Sequence, residues 1–210
     1  MVFTLSDQRR DGKLDGDGQI TPVKIIIAGG FGVGKTTFVS AVSEIDVLTT
    51  EAMMTEVSIG VDDTTGVDAK QSTTVALDFG RITFHQGVTV YLFGTPGQHR
   101  FWFMWDELIR GAAGAVVLAD TRRLPDCFAA LDYFERRGVP FVVGVNSFDD
   151  APRFPLESIR EALDLDPDVP LLTCDARRRD SAKSALIALV AHALDRAHFP
   201  AAAPNSPPSG

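Results

Sequence analysis

Gly29-Gly30-Phe31-Gly32-Val33-Gly34-Lys35-Thr36 follows the apolar run Val23-Lys24-Ile25-Ile26-Ile27-Ala28 and precedes Thr37-Phe38-Val39-Ser40-Ala41-Val42. The octet fits G-x-x-x-x-G-K-[ST], and its neighbours read as the strand and helix that this loop needs on either side. The glycines let the backbone curl so that successive N–H groups face one concavity. The helix starting near Gly34 adds free N–H donors and its positive dipole end. Lys35 then neutralises β- and γ-phosphate charge, and the Thr36 hydroxyl is placed for Mg²⁺. An ordinary glycine-rich turn is the plain alternative, and it explains neither the lysine nor the flanking elements. The expected polyphosphate seat is therefore Gly29, Phe31, Gly32, Val33, Gly34, Lys35, Thr36 and Thr37.

Working outward, 210 residues fit one α/β domain with extensions, and 45% hydrophobic residues suffice for a core. A formal charge of −8 argues against a nucleic-acid phosphate binder. The one dense basic run, Arg177-Arg178-Arg179, reads as a solvated face. Cys127 and Cys174 lack metal-ligand spacing and read as reduced thiols. No stretch has the apolar length of a membrane span, and no signal-peptide centre or lipidation motif is present. A direct membrane anchor is not expected.

Residues 1–20 are polar with repeated Asp-Gly and read as a flexible lead; 21–198 read as the domain, and the Pro- and Ser-rich 199–210 as a disordered tail. Strands are predicted at 23–28, 74–84, 88–93, 114–119, 140–145 and 170–173, and helices at 35–45, 100–110, 125–137, 156–163 and 181–197, the last capped by Asp180. That alternation implies a mostly parallel sheet covered on both faces. His85-Gln86-Gly87 would close one antiparallel hairpin. Residues 46–73 show no strong periodicity and read as a long functional or disordered loop.

Three further groups follow strand ends. Gly94-Thr95-Pro96-Gly97-Gln98 can bring the Gly97 N–H to a γ-phosphate and Gln98 to an attacking water. Asn146-Ser147-Phe148-Asp149 lies where open α/β sheets bind ligands. The Asp149 carboxylate can accept from guanine N1 and N2, a donor pair that adenine lacks. Asp175-Ala176-Arg177 offers a backbone N–H, at Ala176, for guanine O6. Taken singly, each group also reads as a turn or a helix cap.

In this order the motifs resemble the Ras-like small GTPases over about residues 22–197. Within that class the chain is most similar to the bacterial MglA-type group and to the ATP/GTP-binding proteins of actinomycete conservon operons. The resemblance implies an α/β P-loop NTPase fold, with a six-stranded mostly parallel sheet, one antiparallel strand and about five helices. It implies a cytoplasmic switch that binds GTP and GDP with Mg²⁺ and hydrolyses GTP slowly. Lys35 and Gln98 would carry catalysis, Thr36 and Thr74 (or Thr73) the metal, Asn146 and Asp149 the base, with Asp175 and Ala176 as the last base loop. The two switches would be 46–74 and 94–110. Partners implied are a roadblock-type regulatory protein and a sensor complex at the inner face of the membrane. They would meet an aromatic surface made by Phe101, Trp102 and Met104, with Trp105 and Leu108 turned into the core.

Three departures from the pattern stand out. Gly94 replaces an aspartate that holds Mg²⁺ through water, which should weaken the metal. Phe31 replaces a small glycine in the loop, and Ser147 replaces the lysine that packs along the base. Slow or absent turnover follows from these. The alternatives are a nucleotide-locked scaffold that recruits partners and an ATP-using P-loop kinase.

Overall fold

The computed structural model describes residues 21–55, 72–84, 87–97 and 104–198. Along the chain run β1 (Thr21–Gly29), α1 (Lys35–Val42), β2 (Leu48–Thr55), β3 (Ser72–Phe84), β4 (Val88–Gly94), α2 (Trp105–Ile109), β5 (Gly114–Ala119), α3 (Phe128–Arg137), β6 (Phe141–Asn146), α4 (Leu156–Ala162), β7 (Leu171–Cys174) and α5 (Arg179–His198). A short 3₁₀ turn, Leu124–Cys127, leads into α3.

The strands form one sheet in the order β2-β3-β4-β1-β5-β6-β7. β1 lies parallel to both β4 and β5, and β6 and β7 continue in the same sense. Only β3 runs against its neighbours, pairing antiparallel with β4 and with β2. The expected Ras-like α/β class is the one observed.

The sheet carries seven strands among the described residues, because β2 forms inside the stretch that showed no periodicity. Helix α1 stops at Val42, short of the expected end at residue 45, because Ser43 is extended; its N–H closes the last helical bond, to Val39 O at 3.0 Å. The α5 helix begins at Arg179, so Asp180 lies inside its first turn rather than capping it. There its carboxylate still faces the positive end of the helix dipole.

Ile25, Ile26, Ile27 and Ala28 are all buried, as a central strand covered on both faces requires. One side of the sheet packs Phe38, Val39, Val42, Leu186 and Leu189 from α1 and α5. The other packs Trp105, Leu131, Phe134 and Ile159 from α2, α3 and α4. Trp105 stacks on Phe134 at 5.8 Å and meets Tyr133 edge-on at 5.1 Å, while Leu108 packs against the same cluster. Both therefore belong to the core, as expected. With β4 and β5 on opposite sides of β1, the strand order reverses at β1, and ligands of doubly wound sheets bind beyond the carboxyl ends of strands at such a point. The loops after β1, β4, β6 and β7 all leave from that edge.

Candidate nucleotide site

The loop after β1 is wrapped around the Lys35 side chain. Its ammonium is buried and donates to the carbonyls of Gly29 and Gly30 at 3.0 and 2.7 Å. Burial pushes its pKa down to about 8, and the Asp78 charge partly opposes this. Gly34 turns the chain into α1 at φ 104°, a conformation open to glycine. A side chain there would also meet Asn146 Nδ2 at 2.7 Å. Thr36 and Thr37 are exposed in the first turn of α1, and Val33 is buried. Phe31, 65% exposed, stands at the mouth of the loop, and its carbonyl accepts from Arg123 Nη2 at 2.8 Å.

The turn after β4 closes on this loop. Thr95 N–H donates to Ile27 O at 2.9 Å and ties the turn to β1. Gly97 comes so near that a Cβ on it would lie 2.8 Å from Lys35 Nζ and 2.9 Å from Phe31 N. The Gly97 backbone therefore sits beside the Lys35 ammonium. Gln98, Phe101 and Trp102 lie outside the described residues, and Met104, just before α2, is half-buried.

Asn146 joins two loops. Its Nδ2 donates to Val33 O at 2.9 Å, and its Oδ1 accepts from Ala176 N–H at 3.0 Å. The Ala176 N–H expected to face a base oxygen is thus committed to Asn146 in this structure. Asp149 is exposed at the rim, and both of its carboxylate oxygens accept from Arg177, at 3.0 and 3.2 Å. Asp175 accepts from the same guanidinium at 2.9 and 3.0 Å, and its N–H donates to Ser181 Oγ at 2.8 Å. Arg177 holds both carboxyls below the usual carboxylate range. It lies on the exposed face that the basic run suggested, and there it also connects the loops after β6 and β7.

A carboxylate on the neighbouring strand stands beside position 94. Asp78 pairs with Gly94 in the β3–β4 ladder, and Thr36 Oγ1 donates to Asp78 Oδ2 at 2.5 Å. Paired residues on antiparallel strands share a face. A Cβ at Gly94 would lie 3.0 Å from the Asp78 Cβ, so the Asp78 side chain occupies the room that a residue at 94 would need. Sequence reasoning missed Asp78, although the signal was present. A hairpin centred on Gln86 places residue 78 opposite residue 94 by counting. Thr74 lies four residues before Asp78 on β3, in register with Met53; Thr73 is opposite Met54.

These donors fit a hydrated magnesium ion. Mg²⁺ binds through one or two protein oxygens with water and substrate phosphates, not in an all-protein cage. The described residues hold no group of three or more His, Cys, Asp or Glu able to form such a cage. Cys127 and Cys174 are buried free thiols, pushed up to about 12 and about 11 by burial. No helix among the described residues is long and apolar enough to cross a membrane.

A family profile described as conserved hypothetical ATP binding protein matches residues 27–196. An uncharacterized protein of Methanocaldococcus jannaschii is 27% identical over 129 residues, covering 60% of this chain and 71% of that protein. The cytosolic domain of the T. maritima FeoB iron transporter in a GDP form superposes with TM-score 0.60 at 18% identity over 84% of this chain. The chain spans 65% of that crystallised domain, just under two thirds of it. The FeoB G-domain from Methanococcus jannaschii superposes with TM-score 0.56 at 14% identity, covering 84% of this chain and all of that one. At such identities the structural likeness speaks for a P-loop G-domain fold.

Proposed function

Because the chain belongs to the family described as conserved hypothetical ATP binding proteins, we propose that its nucleotide is a guanine nucleotide and that it works as a molecular switch with slow GTP hydrolysis. One observation carries the base preference. Asn146 ties the base loop to the phosphate loop through Val33 and Ala176, and so holds Asp149, three residues on, at the rim of the same seat. A carboxylate there suits the N1–N2 donor edge of guanine, and adenine would leave it unmatched.

In this reading, Lys35 leaves the Gly29 and Gly30 carbonyls for the β- and γ-phosphates. Thr36 and Asp78 would hold a hydrated Mg²⁺, which would supply charge neutralisation at the phosphates. The Gly97 backbone detects the γ-phosphate, and Gln98 orients the attacking water. The Phe31 ring at the loop mouth obstructs that water and any arginine brought by a partner, which favours slow turnover. A cytoplasmic signalling role, with a roadblock-type partner meeting Phe101, Trp102 and Met104, follows from the resemblance to MglA-type proteins.

The same exposed Phe31 favours a second reading, a nucleotide-locked scaffold. Partner capture with GDP and with a non-hydrolysable GTP analogue separates the two. A switch binds its partner unequally in the two states, whereas equal binding leaves the scaffold, since a ligand without differential affinity shifts no equilibrium.

A further inference from the structure

Arg177 presents to Asp149 the same hydrogen-bond face that guanine would. Its Nη1 donates to Asp149 Oδ2 at 3.0 Å and its Nη2 to Oδ1 at 3.2 Å, so two N–H groups on one planar carbon meet one carboxylate edge. Guanine offers that arrangement at N1, C2 and N2. Parallel two-point pairing of this kind is the geometry in which a guanidinium binds a carboxylate best.

The guanidinium is itself held in place. Nε and Nη2 donate to Asp175 at 2.9 and 3.0 Å, and Nη2 also reaches Ser147 O at 3.5 Å. The neighbours of Asp149 are fixed from the other side. The Arg122 guanidinium lies 3.8 Å from the Phe148 ring centre and donates to Asp150 at 2.9 and 3.1 Å. Asp149 is thus preorganised, and its acceptors are taken by a residue of its own chain.

We propose that Arg177 is a specificity residue that competes with the purine for Asp149, acting as a built-in guanine mimic. This rests on the guanine reading of Asp149 given above. A base with both donors, guanine, displaces both guanidinium contacts. Hypoxanthine, with N1–H alone, gains one contact and leaves the other to Arg177. The competition therefore compresses the preference of the wild-type protein for guanine over hypoxanthine. The pair is solvent-exposed, with side chains 52% and 86% accessible, so the effect is modest and weakens in salt.

The test is calorimetric titration of the wild-type protein, Arg177→Ala and Asp149→Ala with GDP, IDP and ADP, all with Mg²⁺. Arg177→Ala is expected to strengthen GDP binding about fivefold, the upper range for an exposed ion pair released, and IDP binding by less. The GDP gain should shrink between low and high salt. If Arg177→Ala weakens GDP and IDP alike, the arginine stacks on the base and the competition is overturned. An unchanged GDP affinity overturns it equally. If Asp149→Ala leaves the preference for GDP over ADP intact, the guanine reading itself fails, a result separable from both others.

Discussion

Moving one carboxylate between strands gives the sharpest prediction. Thr36 Oγ1 lies 2.5 Å from Asp78 Oδ2. A Mg²⁺ held by the Thr36 oxygen at about 2.1 Å therefore lies at most about 4.6 Å from that carboxylate. At that outer limit and an effective dielectric of about 20 the attraction of the divalent ion is about 7 kcal/mol, and desolvation cancels most of it. Loss of such an outer partner usually lowers metal affinity about 10–100-fold, roughly 1.4–2.7 kcal/mol. Asp78→Gly is expected to raise the Mg²⁺ concentration needed to retain GDP by that factor. Gly94→Asp alone sets two carboxylates side by side, its new Cβ 3.0 Å from the Asp78 Cβ, and should lower the melting temperature. The double variant, Asp78→Gly with Gly94→Asp, should bring Mg²⁺ dependence back within a few-fold of wild type. The assay is GDP release followed by fluorescence across buffered Mg²⁺ concentrations. An unchanged Mg²⁺ dependence in Asp78→Gly, or a double variant no better than that single one, refutes the strand exchange.

Further outcomes follow from the same geometry. Lys35 titrates at about 8 in the free protein against 10.5 for an ordinary lysine, and bound phosphate should return it toward the ordinary value. GDP binding at pH 8 should then take up about half a proton, read by calorimetry in buffers of different ionisation heat, and affinity should fall above pH 8. The unfolded chain keeps this proton up to 10.5, so the free protein gains stability relative to Lys35→Met as pH rises from 8 to 10.5. Gly34→Ala must adopt φ 104° and displace Asn146, so it should lose about 1–3 kcal/mol in chemical denaturation and weaken GDP binding as well. Phe134→Ala, which empties a fully buried ring site, should cost about 3–5 kcal/mol without changing base preference. Single-turnover GTP hydrolysis should run at or below about 10⁻⁴ to 10⁻² s⁻¹, and a rate above about 1 s⁻¹ would show that the exposed Phe31 ring does not obstruct the water.

Much of this architecture is legible in the chain. β5 falls at 114–119 as expected, because Gly114–Ala119 is a continuous apolar run, ended by Asp120 and buried on both faces. The phosphate loop and Asp149 follow strand ends and Asn146 closes β6, where a sequence motif and its position agree. β2 is not legible: Leu48-Thr49-Thr50-Glu51-Ala52-Met53-Met54-Thr55 lacks alternation, and its order comes from pairing with β3, a partner remote in sequence. Asp78 is passed over because a carboxylate at this place is sought on β4 itself, whereas this side chain arrives across the ladder from β3. Arg177 reads from composition as one of three surface arginines, and its role depends on two loops that only the fold brings together.

In the proposed function everything rests on the curled loop from Gly29 to Thr36 holding the phosphates of a guanine nucleotide. Direct titration of the nucleotide-free protein with GDP and ADP in Mg²⁺, alongside Lys35→Met, tests it most directly. One GDP per chain is expected, with a clear preference over ADP and loss of most binding in Lys35→Met. Equal affinity for the two nucleotides, or GDP binding untouched by the lysine change, contradicts it.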